Sequence, residues 1–153
     1  MDTRRALLDA LAADDGSVSG PALADSLGVS RAAVWKAVEG LREEGFAVES
    51  TPEGYVAPDD PGYSGPGIAF GLDAPYSVEY HDRIGSTNER ARELAGEGVA
   101  DVAVVADEQT GSRGRLDREW VAPSGGVWVS VLTRPDVPTA RAPLFTLAAA
   151  VAT

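Results

Sequence analysis

The first forty-five residues carry apolar positions at helical spacing. Leu7, Leu8 and Leu11 suit one face of a first helix. The stretch GSVSGPALADSLGVSRAAVWKAVEGLREEGF predicts two further helices with a break at Gly28. Ser30 is a good N-cap for the third helix. The buried stripe of that helix is predicted to consist of Ala33, Val34, Ala37, Val38 and Leu41.

A short hairpin is predicted directly after the third helix, because FAVES and YVAP flank the turn TPEG. Three helices and a hairpin predict a winged helix-turn-helix, a fold that binds DNA through its recognition helix. Arg42 is expected to add a phosphate contact near that helix. The candidate DNA-binding residues are Ser30, Arg31, Ala32, Trp35 and Lys36, with Glu39 on the same outer face.

Two questions about this segment stay open at the level of sequence. Its first sixty residues contain five basic and twelve acidic side chains, so a protein-protein module is the alternative to DNA binding. Trp35 could touch a thymine methyl, pack on the wing or meet the second segment, and we favour the wing.

A domain boundary is predicted at APDDPGYSGPG, where Pro, Gly and Asp replace the apolar periodicity. The expected division is residues 1–57 for the winged helix, 58–67 for a linker and 68–153 for a second segment.

The second segment predicts a mixed α/β arrangement, so the chain as a whole is α+β. YSVEYHDRIGSTNERARELAGEG indicates a strand, a turn at Gly85 and a helix over about 88–95. Ser86 and Glu89 have the spacing of a capping box, and a helix start also attracts anions. VAVVAD predicts a strand in the interior of a sheet, and GGVWVSVLTR predicts another strand.

Composition narrows the class of protein. The net charge is -11, and every basic residue except Lys36 is arginine, as expected of a protein that stays soluble at high salt. The chain has no cysteine and one histidine, His81, which we interpret as structural, so no metal site is predicted. Because no stretch resembles a signal peptide or a membrane span, we expect a cytoplasmic protein without a membrane partner.

The loop DEQTGSRGRLDREW concentrates arginine and glycine between two predicted strands. Glycine lets a backbone approach a ligand closely, and guanidinium groups pair with carboxylate or phosphate oxygens. The alternative is a solvated loop in which Arg113, Arg115 and Arg118 pair with Glu108, Asp117 and Glu119. Trp120 is expected to anchor the return of the loop, with a place beside a nucleotide as the alternative.

Taken together, the winged helix, GSTN at a helix start, EQTGSRGRLDREW and SGGVWVSV resemble the biotin–protein ligases that double as biotin operon repressors. The resemblance implies the first part of a class II synthetase-like α/β catalytic domain. Such enzymes join biotin to ATP, with Mg²⁺, and pass biotin from biotinyl-adenylate to a lysine of a carboxylase's biotin carboxyl carrier domain. The resemblance also implies operator DNA as a partner, with a homodimer on DNA as one arrangement.

The family's site residues transfer to this sequence by position. Ser86, Thr87, Asn88 and Gln109 would hydrogen-bond biotin. Arg113, Gly114 and Arg115 would close over the adenylate, and the two arginines would be catalytic. Two other hypotheses are a biotin- or adenylate-sensing regulator without ligase activity, and a helix-turn-helix protein whose second segment only dimerises.

The sequence departs from the family pattern at two places. Ser112 stands where the family has the first glycine of Gly-Arg-Gly-Arg, which would strain the backbone if a positive φ were needed. The chain also lacks the later Lys-Trp-Pro-Asn-Asp stretch, and PLFTLAAAVAT reads as a buried helix, so we expect an incomplete catalytic domain. Lys36, the only lysine, lies in the DNA-binding segment and cannot replace an active-site lysine.

Overall fold

The structure is a computed structural model that describes residues 3–14, 16–113, 118 and 120–152. The N-terminal segment has the predicted three helices and hairpin. Ser19 and Ser30 each accept a backbone N–H at 3.2 Å as N-caps, and Gly28 ends the second helix with a left-handed φ of 65°. The elements are α1 (Thr3–Ala12), α2 (Gly20–Leu27), α3 (Arg31–Glu43), β1 (Glu49–Ser50) and β2 (Tyr55–Val56).

The buried stripe of α3 is as predicted. Val34, Ala37, Val38 and Leu41 are buried and Ala33 is half-buried. They pack against the leucines of α1 and α2, so the outer face of α3 is left to solvent.

The wing is joined to the connection before α2. Val18 and Tyr55 exchange two backbone hydrogen bonds of 2.8 and 2.9 Å, which adds a third strand-like edge to the hairpin. Gly54 permits this approach, because a Cβ there would lie 2.3 Å from the Val18 carbonyl oxygen.

Part of the expected linker is folded. Residues 58–67 include the start of a short helix, α4 (Gly65–Ala69), which is capped by Ser64 and packs on α1. Phe70 lies against Phe46 with ring centroids 5.1 Å apart, and Ala69 belongs to the core of the winged helix. The core therefore continues past the expected boundary at residue 57, because apolar residues follow the Pro- and Gly-rich stretch. The domain limits themselves stay a prediction.

The second segment forms a three-stranded mixed sheet in the order β3-β4-β5. The strand β4 is central, as its apolar sequence predicted, and it pairs in parallel with β3 and antiparallel with β5. The helix predicted over about 88–95 runs over 87–96. The elements are β3 (Ser77–Ile84), α5 (Thr87–Gly96), β4 (Val102–Gln109), β5 (Trp128–Leu132), a 3-10 turn (Thr139–Arg141) and α6 (Pro143–Ala152).

One face of this sheet is covered by α5, whose Ala91 and Leu94 pack on Val102 and Val104. The helix predicted near the end of the sequence is present as α6, but it is not buried among the described residues. Leu147 on α6 is 64% exposed, and the main contact of α6 among the described elements is the preceding 3-10 turn. Within the described ranges, every helix is too short or too polar to cross a lipid bilayer.

Candidate functional site

The carboxyl ends of β3 and β4 bring two loops side by side. The Thr110 amide donates to the Ile84 carbonyl at 2.9 Å, and the Gly111 amide donates to the Gly85 carbonyl at 2.7 Å. Parallel pairing continues from the strands into the loops, so the GSTN turn lies beside the arginine-containing loop. A Cβ at position 111 would lie 3.1 Å from the Gly85 carbonyl oxygen, which is why a glycine suits this approach.

The GSTN turn leads directly into α5. Ser86 is the N-cap, and its Oγ accepts the Glu89 amide at 3.4 Å, which is half of the predicted capping box. Ser86 is half-buried and Asn88 is exposed in the first turn. The positive end of the helix dipole at this start favours an anionic or acceptor group of a ligand.

Thr87 and Gln109 are brought together by this geometry. The Gln109 side-chain oxygen Oε1 accepts the Thr87 amide at 2.8 Å and the Thr87 hydroxyl at 3.0 Å. Thr87 is only 3% exposed, and its hydroxyl also lies 2.9 Å from Ser130 Oγ. The structure thus places Thr87 beneath the surface, in contact with Gln109, and its predicted contact with biotin stays a prediction. Sequence reasoning missed Ser130, which lies in an ordinary strand pattern.

A cavity of about 530 Å³ lies over the end of β4. Backbone pairing between Gln109 and Ala122 closes the base of the loop, and the Trp120 amide donates to the Ser112 carbonyl at 3.3 Å. Trp120 is 60% exposed. The cavity is lined by Gln109, Thr110, Gly111, Ser112, Arg113, Trp120 and Val121.

Ser112 and Arg113 differ in their surroundings. Ser112 Oγ is buried and has no hydrogen-bond partner among the described residues. Ser112 does not have a positive φ, so the strain considered for a non-glycine residue at this position is absent. Arg113 is exposed at the rim of the cavity. Gly114 and Arg115, the other predicted residues of this loop, lie outside the described residues.

Glu108 was a candidate partner for the loop arginines. Its described partner is Arg83 on the neighbouring strand, at 3.2 Å, because Arg83 and Glu108 are directly paired in the parallel ladder. The Glu108 carboxylate is therefore engaged in an ion pair between the two strands.

Asp107 was not predicted, yet it fixes the return of the loop. Its carboxylate accepts the Ser124 hydroxyl and, at 3.0 Å, the Gly125 amide. These two hydrogen bonds hold the pKa of Asp107 below its usual range. The signal in the sequence was the Ser-Gly pair, which is typical of a turn that a nearby carboxylate can cap.

His81 is structural, as interpreted from the sequence. Its Nε2 lies 2.8 Å from Glu79 Oε1, and Glu79 also accepts two hydrogen bonds from Arg90 of α5, at 2.6 and 3.2 Å. The bidentate arginine is the main cause of the lowered pKa of Glu79. This cluster ties α5 to β3 and thereby holds the helix start in place.

A larger cavity, of about 1020 Å³, does not coincide with this site. It is an open cleft between α1, the end of α3, α4 and β3, with Leu8, Leu41, Tyr63 and Tyr80 among its walls. Charged side chains of α1 and of the end of α3, among them Arg4, Arg5 and Glu44, also line this cleft, and Arg4 pairs with Glu44. The smaller cavity is the better candidate because Gln109 and Arg113, two of the predicted site residues, line it.

The candidate DNA-binding face is exposed as predicted. Ser30, Arg31, Ala32, Trp35 and Lys36 are all exposed, and Trp35 retains 59% of its accessible surface. Packing of Trp35 on the wing therefore stays a prediction. Ser30 also caps α3.

Arg42 has partners within the winged helix, and its expected phosphate contact stays a prediction. Its guanidinium donates to the Val48 carbonyl at 2.9 and 2.7 Å, to Ser50 Oγ at 2.8 Å and to Glu39 at 2.6 Å. Arg42 therefore joins α3 to the wing.

Comparisons with known proteins follow the same division of the chain. Residues 3–56 match the HTH domain family, and residues 80–153 match the Biotin/lipoate A/B protein ligase family. The chain is 44% identical over 142 residues to the Bifunctional ligase/repressor BirA of Bacillus subtilis (strain 168), covering 88% of the chain and 44% of that relative. It is 34% identical over 119 residues to the protein of that name from Escherichia coli (strain K12), covering 77% of the chain and 37% of the relative.

The chain thus spans less than half the length of these relatives. Both family matches occur in the order predicted from the sequence, with the helix-turn-helix first. The chain belongs to the biotin–protein ligase family, in the arrangement that carries an N-terminal helix-turn-helix domain.

Proposed function

We propose that this chain provides the DNA-binding segment and part of the biotin- and ATP-binding site of a biotin–protein ligase. The reaction joins the biotin carboxylate to the α-phosphate of ATP, releases pyrophosphate and then transfers biotin to a lysine of a carboxylase's carrier domain. The observation that carries the proposal is the juxtaposition of the α5 start, Gln109 and the arginine-containing loop at the ends of β3 and β4.

Biotin is assigned to the part of the site next to α5. Ser86 and Asn88 lie at the helix start, and Gln109 lines the cavity beside it. Amide and hydroxyl groups suit the ureido ring and the carboxylate of the vitamin, which offer both donors and acceptors. Thr87 contributes by holding Gln109.

The adenylate is assigned to the loop. Biotin carboxylate and the α-phosphate are both anionic, so bringing them together requires positive charge in a site from which water is excluded. Arg113, Gly114 and Arg115 would supply that charge and a flexible backbone. The buried Ser112 Oγ, which lacks a partner among the described residues, is one hydroxyl that a bound ligand would satisfy. Mg²⁺ would arrive with ATP, held mainly by its phosphates.

DNA binding is assigned to α3. Arg31 and Lys36 are exposed on the outer face of the helix, beside Ala32 and Trp35. A ligase with such a domain could repress its own biotin operon when it carries the adenylate, and it would do so as a homodimer if the operator is symmetric. We place the protein in the cytoplasm, where ATP, DNA and the carrier domain meet.

Two titrations and one assay separate the hypotheses. Biotin is titrated into this chain and into a form as long as its relatives. ATP with Mg²⁺ is then added to each protein, and the released pyrophosphate is measured. A ligase binds biotin and releases pyrophosphate in the longer form. A regulator without ligase activity binds biotin or the adenylate and releases none. A protein whose second segment only dimerises binds neither, and that result would overturn the proposal.

A further inference from the structure

The hydrogen bonds at Gln109 fix which end of its amide faces the cavity. The atom that contacts the Thr87 backbone must be the oxygen, because a backbone N–H can only donate. The Thr87 hydroxyl donates to the same oxygen at 3.0 Å. Two donors therefore converge on Oε1, and the reversed amide would place an NH₂ group against an N–H.

The proton of each hydroxyl can be assigned from the same contacts. Thr87 has one hydroxyl proton, and it goes to Gln109 Oε1, which only accepts. The 2.9 Å contact between the Thr87 and Ser130 hydroxyls must then be donated by Ser130. Ser130 of β5 therefore donates to Thr87 of α5, and Thr87 donates to Gln109 of β4. We call this chain of two hydrogen bonds the relay.

The opposite end of the Gln109 amide is available to a ligand. Gln109 is half-buried and lines the 530 Å³ cavity, and its NH₂ group has no acceptor among the described residues. Thr87 is buried, so the relay is protected from competing water.

We propose that Ser130 and Thr87 are positioning residues that hold Gln109 with its NH₂ group toward the cavity, so that the ligand atom meeting Gln109 is a hydrogen-bond acceptor. This inference rests on the proposed function for the identity of the ligand. In biotin the acceptor is the ureido carbonyl oxygen or a carboxylate oxygen, and the ureido N–H groups are excluded from this position.

A double-mutant cycle tests the relay by calorimetry with biotin. Gln109→Ala should weaken binding more than tenfold, and Ser130→Ala should weaken it several-fold because the amide loses its fixed orientation. Ser130→Ala should have no further effect in the Gln109→Ala background. Ser130→Thr keeps the hydroxyl and should restore affinity. Ser77→Ala, an exposed serine at the other end of β3, is the matched control and should change nothing.

The choice of ligand separates the two acceptors. Biotinol has an alcohol in place of the carboxylate. If Gln109 meets the carboxylate, Gln109→Ala should lose little affinity for biotinol, and if it meets the ureido oxygen, the loss should equal that for biotin. Gln109→Glu tests for an acceptor, because it keeps an oxygen for Thr87 and removes the NH₂ donor. It should weaken binding of both ligands as Gln109→Ala does, and a Gln109→Glu protein that binds biotin as well as wild type would overturn the proposal.

Hydrogen exchange of the free protein tests the relay without any ligand. Exchange of the Thr87 amide should accelerate in Gln109→Ala and, to a smaller extent, in Ser130→Ala, because the amide loses a fixed acceptor. If wild type binds no biotin but the exchange changes as expected, the proposed function fails and the relay stands. Additive effects in the cycle, or an unchanged Thr87 amide in Ser130→Ala, would refute the positioning role.

Discussion

Arg42, in the last turn of the recognition helix, donates two hydrogen bonds to the carbonyl oxygen of Val48 at the base of the wing. The same guanidinium reaches Ser50 in the first wing strand. Helix and wing are therefore connected by one side chain. The angle between the two elements that would contact DNA depends on this connection.

We expect Arg42→Ala to lower the free energy of unfolding by about 1–2 kcal/mol, since a charged donor to backbone oxygens is lost at a half-buried position. Urea unfolding followed by circular dichroism measures the change. Lys36→Ala, on the exposed face of the same helix, is the control and should leave the stability unchanged. An Arg42→Ala protein that is as stable as wild type but has lost DNA affinity would show that Arg42 contacts a phosphate and does not stabilise the fold.

DNA binding should instead depend on Arg31 and Lys36. Lys36→Glu should weaken binding to duplex at low salt, because a phosphate contact is replaced by repulsion, and the slope of log Kd against log salt should fall by about 1. Fluorescence anisotropy over a salt series measures both effects. Arg92→Ala, an exposed arginine on α5, is the matched control. Affinity that stays at the wild-type level in Lys36→Glu would exclude this face.

The boundary of the winged helix can be tested with two fragments. Residues 1–72 retain α4 and Phe70, which packs on the fully buried Phe46, whereas residues 1–57 lack both. We expect the shorter fragment to unfold at lower urea concentration, and Phe70→Ala in the full chain to cost about 1–2 kcal/mol. Equal midpoints for the two fragments would show that residue 57 ends the domain.

Much of this organisation follows from local patterns. The stripe of α3 and the central position of β4 depend on the spacing of apolar residues, and the caps at Ser30 and Ser86 depend on immediate neighbours. Side-chain contacts between segments that are distant in the chain cannot be predicted from such local patterns. The place of Arg42 depends on the fold of the wing, and that of Thr87 on Gln109, twenty-two positions away. The sequence suggested a role for each residue but could not show which side chains bind one another.

Stability should fall in acid through Glu79 and Asp107, whose pKa values are lowered in the folded state by Arg90 and by Ser124 with Gly125 respectively. A carboxyl group with a depressed folded pKa stabilises the protein above its unfolded pKa, about 4, and this contribution is lost as pH falls through the folded pKa. Thermal unfolding between pH 3 and 7 should show the decline below about pH 4.5. The loss of stability at low pH should be smaller in Glu79→Gln than in wild type. Glu53→Gln, in the exposed wing turn, should lose stability as wild type does.

Biotin and adenylate should respond differently to changes in the site. Arg115→Ala, in a protein as long as the relatives, should weaken an adenylate analogue far more than biotin, because the proposed partner of the guanidinium is a phosphate that biotin lacks. A bidentate arginine–phosphate contact in a closed site contributes about 2–4 kcal/mol, roughly thirtyfold to several-hundredfold in Kd.

Asn88→Ala and Gln109→Ala provide the contrast. Their amides are assigned to the vitamin, so both ligands should be weakened by the same factor, since the adenylate contains the biotin moiety. Calorimetry with biotin and with a non-hydrolysable biotinyl-adenylate analogue gives the two dissociation constants for each variant. An Arg115→Ala protein that loses equal affinity for both ligands would remove the reason to assign this arginine to the phosphate, and the loop would then be an ordinary solvated connection between β4 and β5.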